Sequence, residues 1–243
     1  MPHTLYSAAE VAEYLRVSVS EVETWARRAE IPCERRGDRF VFRRGEIELW
    51  ASCCLLDARE RRLREYHERS SRAGGAAPRP MLHALISTDR IALDMGSRTR
   101  ASVIRDMIAL AEQTGLLNYP DDLLRQIELR EAEQPTALAG GVALLHPGHR
   151  EPYMFEDSFL LLGRTVQALP FGAPDGQPTD LFFLLCCRDD RLHLHALSRL
   201  CLLCYHSPLP GALREASSAE EACAALIRSE AEILAGRAAK GVK

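Results

Sequence analysis

The stretch "GGVALLHPGHREP", Gly140 to Pro152, joins a short apolar run to a turn rich in glycine and proline, and it carries two histidines three positions apart. Bounded by glycines before and by Pro147 after, Val142–Leu145 has the length and composition of a short buried strand. His146 and His149 follow it. Three readings of the pair stand open on residue type alone: metal ligands, a reactive nucleophile with a neighbour, or loop residues at the end of a strand. As His-x-x-His the pair has a spacing that zinc tolerates, but no nearby cysteine or carboxylate completes a ligand set, so no metal is expected. A neutral imidazole is a competent nucleophile near neutral pH, and its pKa makes it both an acceptor and a leaving group.

Working outward from this stretch, the chain from Met81 onward alternates between strand and helix patterns. "MLHALISTDRIALDM" reads as a strand-rich opening, and "SRTRASVIRDMIALAEQTG" as an amphipathic helix capped by serine and stopped by Gly115. "YPDDLLRQIELREAE" reads as a second helix, with Asp121 and Asp122 in its first turn favouring the dipole. "SFLLLGRTVQAL" and "TDLFFLLCC" are apolar runs of strand length separated by the turn "FGAPDGQP". "RLHLHALSRLCLLCYH" and "SSAEEACAALIRSEAEIL" read as closing helices. Interleaved strands and helices imply an α/β domain, a mixed sheet covered by helices on both faces, over residues 81–243.

Before it, "ARERRLREYHERSSRAGGAAPRP" begins as a charged, helix-compatible run and ends in a Ser/Gly/Ala/Pro tract, so residues 57–80 read as a linker. Residues 1–56 carry their own punctuation. Ser7 with Glu10 forms a capping box opening the helix "SAAEVAEYLRV". A short turn leads to Ser20 as the expected cap of "SEVETWARRAE", with Val22, Trp25 and Ala26 inward and Glu23, Thr24, Arg27 and Arg28 outward, and Pro32 as its expected stop. Two short arms around "RGDR" and a further helix with Ile47, Leu49 and Trp50 complete a small winged helix-turn-helix, mainly α with a β wing.

With a formal net charge of −3, the whole chain is not a polyanion binder, and any nucleic-acid contact must come from a local patch. Arg27, Arg28, Arg35, Arg36, Arg39, Arg43 and Arg44 supply one, against Glu30, Glu34 and Asp38. No apolar run is long enough for a membrane span, and the N-terminus lacks the pattern of a signal peptide, so no membrane contact and a cytoplasmic location are expected. The eight cysteines include the pair Cys201-x-x-Cys204, which lies inside a leucine-rich helical pattern with no second such pair. They read as small core hydrophobes in a reducing compartment.

Two resemblances follow. "YSAAEVAEYLRVSVSEVETWARRAEIPCERRGDRFVFRRGEIELWA" resembles the excisionase and MerR-type helix-turn-helix module. The likeness implies that the second helix enters the DNA major groove while the wing tracks the backbone, with Ser20, Thr24, Arg27, Arg28, Arg35, Arg36, Arg39 and Arg43 as contact residues. Glu21 and Glu23 depart from a DNA-facing pattern, and Glu30 stands where that family usually has glycine. "LLRQIELREAEQPTALAGGVALLHP", "PFGAPDGQPTDLFFLL", "HLHALSRL" and "SSAEEACAAL" together, in order, resemble the enzyme IIA domain of the bacterial sugar phosphotransferase system, in its fructose, mannitol and nitrogen-regulatory branch. That resemblance implies His146 as the phosphoryl acceptor, His193 as its stabilising neighbour and Thr136 as a hydrogen-bond partner. It also implies a phosphohistidine carrier protein as donor, with no cofactor. Leu145 stands where the family has proline. His149 and His195 are left outside the site.

Joined, the halves imply a bacterial transcription regulator that binds DNA and senses phosphotransferase state through His146. The alternatives are a IIA phosphocarrier serving a IIB partner and a IIA-like domain that binds partners without accepting phosphate. Helix-turn-helix regulators commonly act as dimers on paired half-sites, which makes a homodimer an expectation.

Overall fold

A computed structural model describes residues 5–57, 65, 66, 68, 81–149, 151 and 153–238. The linker expected at 57–80 lies, apart from residues 57, 65, 66 and 68, outside the described residues, as does Arg150.

The N-terminal module starts with a strand that the sequence pattern did not indicate, β1 (Leu5–Ser7). Ser7 and Glu10 then form the expected capping box on α1 (Ala8–Leu15), which buries Val11, Tyr14 and Leu15. The second helix, α2 (Val19–Arg27), is capped by Ser18 rather than Ser20. Both serines have glutamate three positions on; starting at Ser18 adds backbone bonds, including Val22 N–H to the Ser18 carbonyl at 3.3 Å. Helix α2 also ends before Pro32. Ala29 takes φ +54°, and the Ala29 and Glu30 N–H groups close back on the Ala26 and Trp25 carbonyls at 3.2 and 2.9 Å. This is a Schellman ending made without glycine.

The wing pairs β2 (Glu34–Arg36) with β3 (Arg39–Arg43) across the two-residue loop Gly37-Asp38, where Gly37 adopts φ +62°. Strand β1 adds to the other side of β3. Then α3 (Arg44–Leu56) buries Ile47, Ala51 and Leu55, spaced at i, i+4, i+8, against the module's core. Its neighbouring face, with Glu48 and Ser52, is also buried. The Trp25 and Trp50 rings meet at 5.8 Å between α2 and α3.

From Met81 the expected strand-rich opening is mostly two 3-10 turns, Leu82–Ala84 and Thr88–Arg90, and only Ile91–Met95 (β4) is strand. Helix α4 (Arg100–Gln113) is capped by Thr99, not by a serine, with Ser102 completing the box. Next come α5 (Pro120–Glu133), β5 (Ala137–Leu138), β6 (Val142–Leu145), β7 (Phe159–Leu169) and β8 (Thr179–Cys186). The chain closes with α6 (Asp190–His206), a short α7 (Leu209–Glu215) that the sequence reading missed, and α8 (Ala219–Ala238).

The sheet order is β4-β7-β8-β6-β5, with β4 parallel to β7, β6 parallel to β8, and the β7–β8 and β5–β6 pairs antiparallel. Period-2 alternation sends Leu144, Leu160, Leu162, Leu181 and Phe183 to the face covered by α6 and α8, and Ala143, Leu145, Leu161, Phe182 and Leu184 to the face covered by α4 and α5. Helices therefore cover both faces of a mixed sheet, as the patterning implied. The apolar cluster under α6 runs without a break into the core of the N-terminal module.

Both tryptophans lie in the N-terminal module, so tryptophan fluorescence follows its unfolding. An alanine at φ +54° carries the left-handed penalty that glycine avoids. Ala29→Gly should stabilise that transition by roughly 0.5–1 kcal/mol, read as a higher urea midpoint by tryptophan emission.

Candidate functional site

Strands β6 and β8 are parallel, with Leu145 paired to Leu184 at the last position of β6. Their carboxyl ends therefore open on one edge of the sheet, where α/β sheets place ligands. His146 is the first residue beyond β6, and β8 leads through Asp189 into α6. The Asp189 carboxylate caps that helix by accepting the Leu192 N–H at 2.7 Å. His193, in the first turns of α6, comes back over the end of β6. The two imidazoles meet with ring centroids 5.2 Å apart and planes at 53°, and they are 1% and 0% exposed.

The tautomer of His146 follows from its neighbour. Nδ1 lies 2.8 Å from the Leu144 carbonyl, which can only accept, so Nδ1 carries the proton and Nε2 presents its lone pair. The amino end of α6, beside it, favours negative charge.

Thr136 is fully buried one strand away, its carbonyl taking the Leu144 N–H at 3.1 Å. Its hydroxyl donates to the Glu131 carboxylate, in a very short contact, and its N–H reaches the same oxygen at 3.2 Å. The fold thus brings His146 and His193 together, while the Thr136 hydroxyl is turned to Glu131.

Sequence reading passed over Arg130 and Glu131, which are 1% and 3% exposed at the end of α5. A signal was present: Leu123, Ile127 and Arg130 fall on one helical stripe, and a charge on an apolar stripe marks a buried ion. Arg130 borders the "HPGH" turn, since a Cβ on Gly148 would sit 3.6 Å from the Arg130 Cβ. Its guanidinium donates to the Gln134 carbonyl at 2.6 Å and lies 3.5 Å from the Cys53 sulfur of α3.

His149, left outside the site in the sequence reading, is an exposed turn residue that also packs on α3. Its ring fills the place where a side chain on Gly45 of α3 would stand, 2.2 Å from the Cβ position, and Nδ1 is 3.8 Å from the Glu48 carboxylate. His195 points elsewhere, with Nε2 at 3.4 Å from Arg199. In the Cys201-x-x-Cys204 pair, burial pushes the Cys201 thiol well up and the Cys204 thiol to about 12, so both sulfurs stay protonated and unreactive.

On the N-terminal module, Ser20 and Arg27 on α2, Arg28 at its C-cap, and Arg35, Arg36, Arg39 and Arg43 on the wing are exposed, with Thr24 half-buried among them. Several arginines hold acids: Arg27 pairs with Glu23 at 2.7 Å, and Arg43 and Arg36 share Glu34 at 2.6 and 3.3 Å. Such exposed pairs are worth little and exchange readily for phosphates. Arg44, the seventh arginine of the patch, turns away to Glu48 and Asp190.

Burial raises the Glu131 carboxyl above its ordinary value, outweighing the Thr136 donors and the nearby arginines. A raised folded-state pKa contributes stability below the unfolded value, about 4.3, and loses it as pH climbs through the folded value. Glutamine keeps the acceptor oxygen without the charge. The stability of Glu131→Gln relative to wild type should therefore rise between acid and neutral pH, measured as the difference in urea midpoints. A flat difference rejects the charge argument.

Comparison with known proteins finds relatives for both parts of the chain. Residues 84–229 match the family model for the phosphoenolpyruvate-dependent sugar phosphotransferase system, EIIA 2, and residues 5–52 match that for a helix-turn-helix domain. The fructose-specific EIIABC component of the phosphotransferase system of Bacillus subtilis (strain 168) is 27% identical over 136 residues. That is 55% of this chain and 21% of the relative, so the chain spans about a fifth of that protein's length. The crystal structure of nitrogen regulatory protein IIA-Ntr from Neisseria meningitidis superposes with a TM-score of 0.54 at 28% identity, covering 59% of this chain and 97% of that one. The complex of enzyme IIAMtl and phosphorylated enzyme IIBMtl from Escherichia coli shares the fold, with a TM-score of 0.51 at 18% identity over 58% of this chain and 96% of that one. With one family model spanning more than half of its residues, the chain belongs to the phosphoenolpyruvate-dependent sugar phosphotransferase system EIIA 2 family, joined here to an N-terminal helix-turn-helix domain.

Proposed function

We propose that this chain is a transcription regulator that binds DNA through α2 and the wing and reports phosphotransferase state through phosphorylation of His146 at Nε2. The observation that carries the reading is the buried His146–His193 pair, with the His146 proton held on Nδ1 by the Leu144 carbonyl.

Phosphoryl transfer asks for in-line approach and compensation of the equatorial oxygens more than for acid–base groups. The donor is a phosphohistidine carrier protein. Its N–P bond breaks as the Nε2–P bond forms, and the electron pair returns to the donor imidazole. Nδ1 keeps its proton throughout, so the charge gained by the ring stays on a hydrogen bond already made to Leu144. His193 and the backbone of the "HPGH" turn are the groups beside His146 that can compensate the oxygens, and Arg130 borders that turn. Leu145 in place of the family's proline is accommodated as an ordinary, fully buried strand position.

The DNA part rests on the exposed arginines of α2 and the wing, with Ser20 and Thr24 on the same helix. The dimensions of α2 suit the major groove, and wing arginines suit phosphate contacts. Boundaries near 56 and 81 divide the two activities.

Incubation with phosphoenolpyruvate and the general phosphotransferase proteins should place acid-labile phosphate on the wild type and none on His146→Ala. Absence of label on the wild type and also on Arg44→Glu, which breaks the Arg44–Asp190 contact holding α3 beside the site, rejects the phosphoacceptor reading, and passage of the label to a separate IIB protein supports the phosphocarrier alternative. Binding to upstream DNA should weaken steeply with salt, and Arg39→Ala should lower the slope of log K against log salt by about 1. Binding that ignores salt rejects the DNA reading.

A further inference from the structure

The helix-turn-helix module does not stand apart from the histidines. Helix α3 runs across the rim of their site. At its start, the Arg44 guanidinium bridges Glu48 at 2.6 Å and Asp190, the first residue of the His193 helix, at 2.8 Å. Gly45 receives the His149 ring, and a side chain there would collide with it. In its last turn, Cys53 touches the Arg130 guanidinium at 3.5 Å. At its end, Asp57 accepts from Gln134 at 3.0 Å. Glu48 and Ser52 are 4% and 3% exposed, because this second face of α3 is covered as fully as the first.

The contact therefore touches three of the elements that build the site: the "HPGH" turn, the end of α5 and the start of α6. The His146 Nε2 atom has less than 1 Å² of accessible surface. A protein donor needs an open face around that atom, and a phosphoryl group needs room on it.

We propose that α3 occupies the surface on which the phosphoryl donor docks, so that donor entry to His146 and the docked posture of the DNA-binding module exclude one another. The phosphoryl half of this inference rests on the reading of His146 as acceptor; the occlusion itself does not.

The coupling is reciprocal. Whatever binds or modifies the open site draws the module off it, and whatever holds the module on the site slows phosphorylation. The docked module keeps Ser20, Arg27, Arg28 and the wing arginines exposed, so docking closes the histidine site without closing the DNA face. Phosphorylation thus changes where the DNA-binding surface sits relative to the rest of the chain, not whether it is uncovered. Release also frees Arg130 from Cys53, leaving its guanidinium to the turn that holds the phosphoryl group.

Diethylpyrocarbonate tests the occlusion on the full chain with no phosphotransferase protein present, since it carbethoxylates accessible imidazole nitrogens and mass spectrometry reads each site. Exposed His83 is the internal reference. In the wild type, His146 should react far more slowly than His83. Arg44→Glu sets a carboxylate against Glu48 and Asp190 and should speed His146 by about tenfold, as expected when a local opening equilibrium loses a partly buried ion pair. Adding Asp190→Arg should return the rate toward wild type, which an unfolded variant would not do. Gly45→Leu, a wedge under the same helix, should act like Arg44→Glu. Wild-type His146 as reactive as His83, or unchanged His146 rates in both single variants, overturns the proposal. Faster carbethoxylation without any carrier-dependent phosphate on the same variants supports the occlusion and rejects His146 as acceptor instead.

Discussion

The parallel pairing of β6 with β8 is the constraint on which the rest of the molecule depends. Because both strands run the same way and sit side by side, the residues that follow them leave the sheet at one edge. One exit carries His146 and the other starts the helix bearing His193. Two residues nearly fifty positions apart become ring neighbours at 5.2 Å. An antiparallel pair would have sent them to opposite edges. The site is therefore as rigid as the sheet centre, where Leu144, Leu145, Leu184 and Leu185 are fully buried.

How much of this was legible in the sequence depends on the kind of signal involved. Apolar runs of strand length marked β6, β7 and β8, and dipole and capping residues marked α1 and α5, because these elements answer to local pattern. Boundaries chosen between competing local signals were less legible. Ser18 and Ser20 both offer a cap with a glutamate three residues on, and only the extra backbone bonds favour the former. Ala29 was invisible as a helix stop, since pattern reading looks for glycine at φ +54°. Strand β5, two residues long, exists only through its pairing with β6. Ordered segments that resemble a known family singled out His146 and His193 where residue type alone left three readings open, and the fold brings the two rings together.

What sequence could not supply is the second face of α3. Nothing in the local pattern marks Glu48 as buried, and the seven arginines between 27 and 44 read as one basic patch. The fold divides them. Six remain exposed, and Arg44 leaves the patch because Glu48 and Asp190 meet on the other side of the helix. Charge counts along a chain register how many cations are near each other in sequence, whereas partners from distant elements decide which way each one points. His149 is the same case from the other side: an exposed turn residue by composition, it is fixed in place by a glycine about a hundred positions earlier.

A second charged contact bears on how the module can move. Met81 and Leu82, where the chain enters the sheet domain, donate their N–H groups to the Glu230 carboxylate at 3.0 to 3.3 Å. Glu230 is fully buried and pairs with the equally buried Arg199 in a very short contact. Burying two charges costs desolvation that a plain apolar pair would avoid, and burial depresses the Arg199 guanidinium even with Glu230 beside it. What the arrangement provides is a fixed point. Apolar packing alone would let the entering 3-10 turn slide along α8, whereas two N–H donors on one carboxylate do not. Arg199 lies on α6, the helix that carries His193 and Asp190, so the chain's point of entry, the histidine pair and the Arg44 contact are tied to one rigid element. Any release of α3 is then a motion of the module about that element, with the site itself left standing.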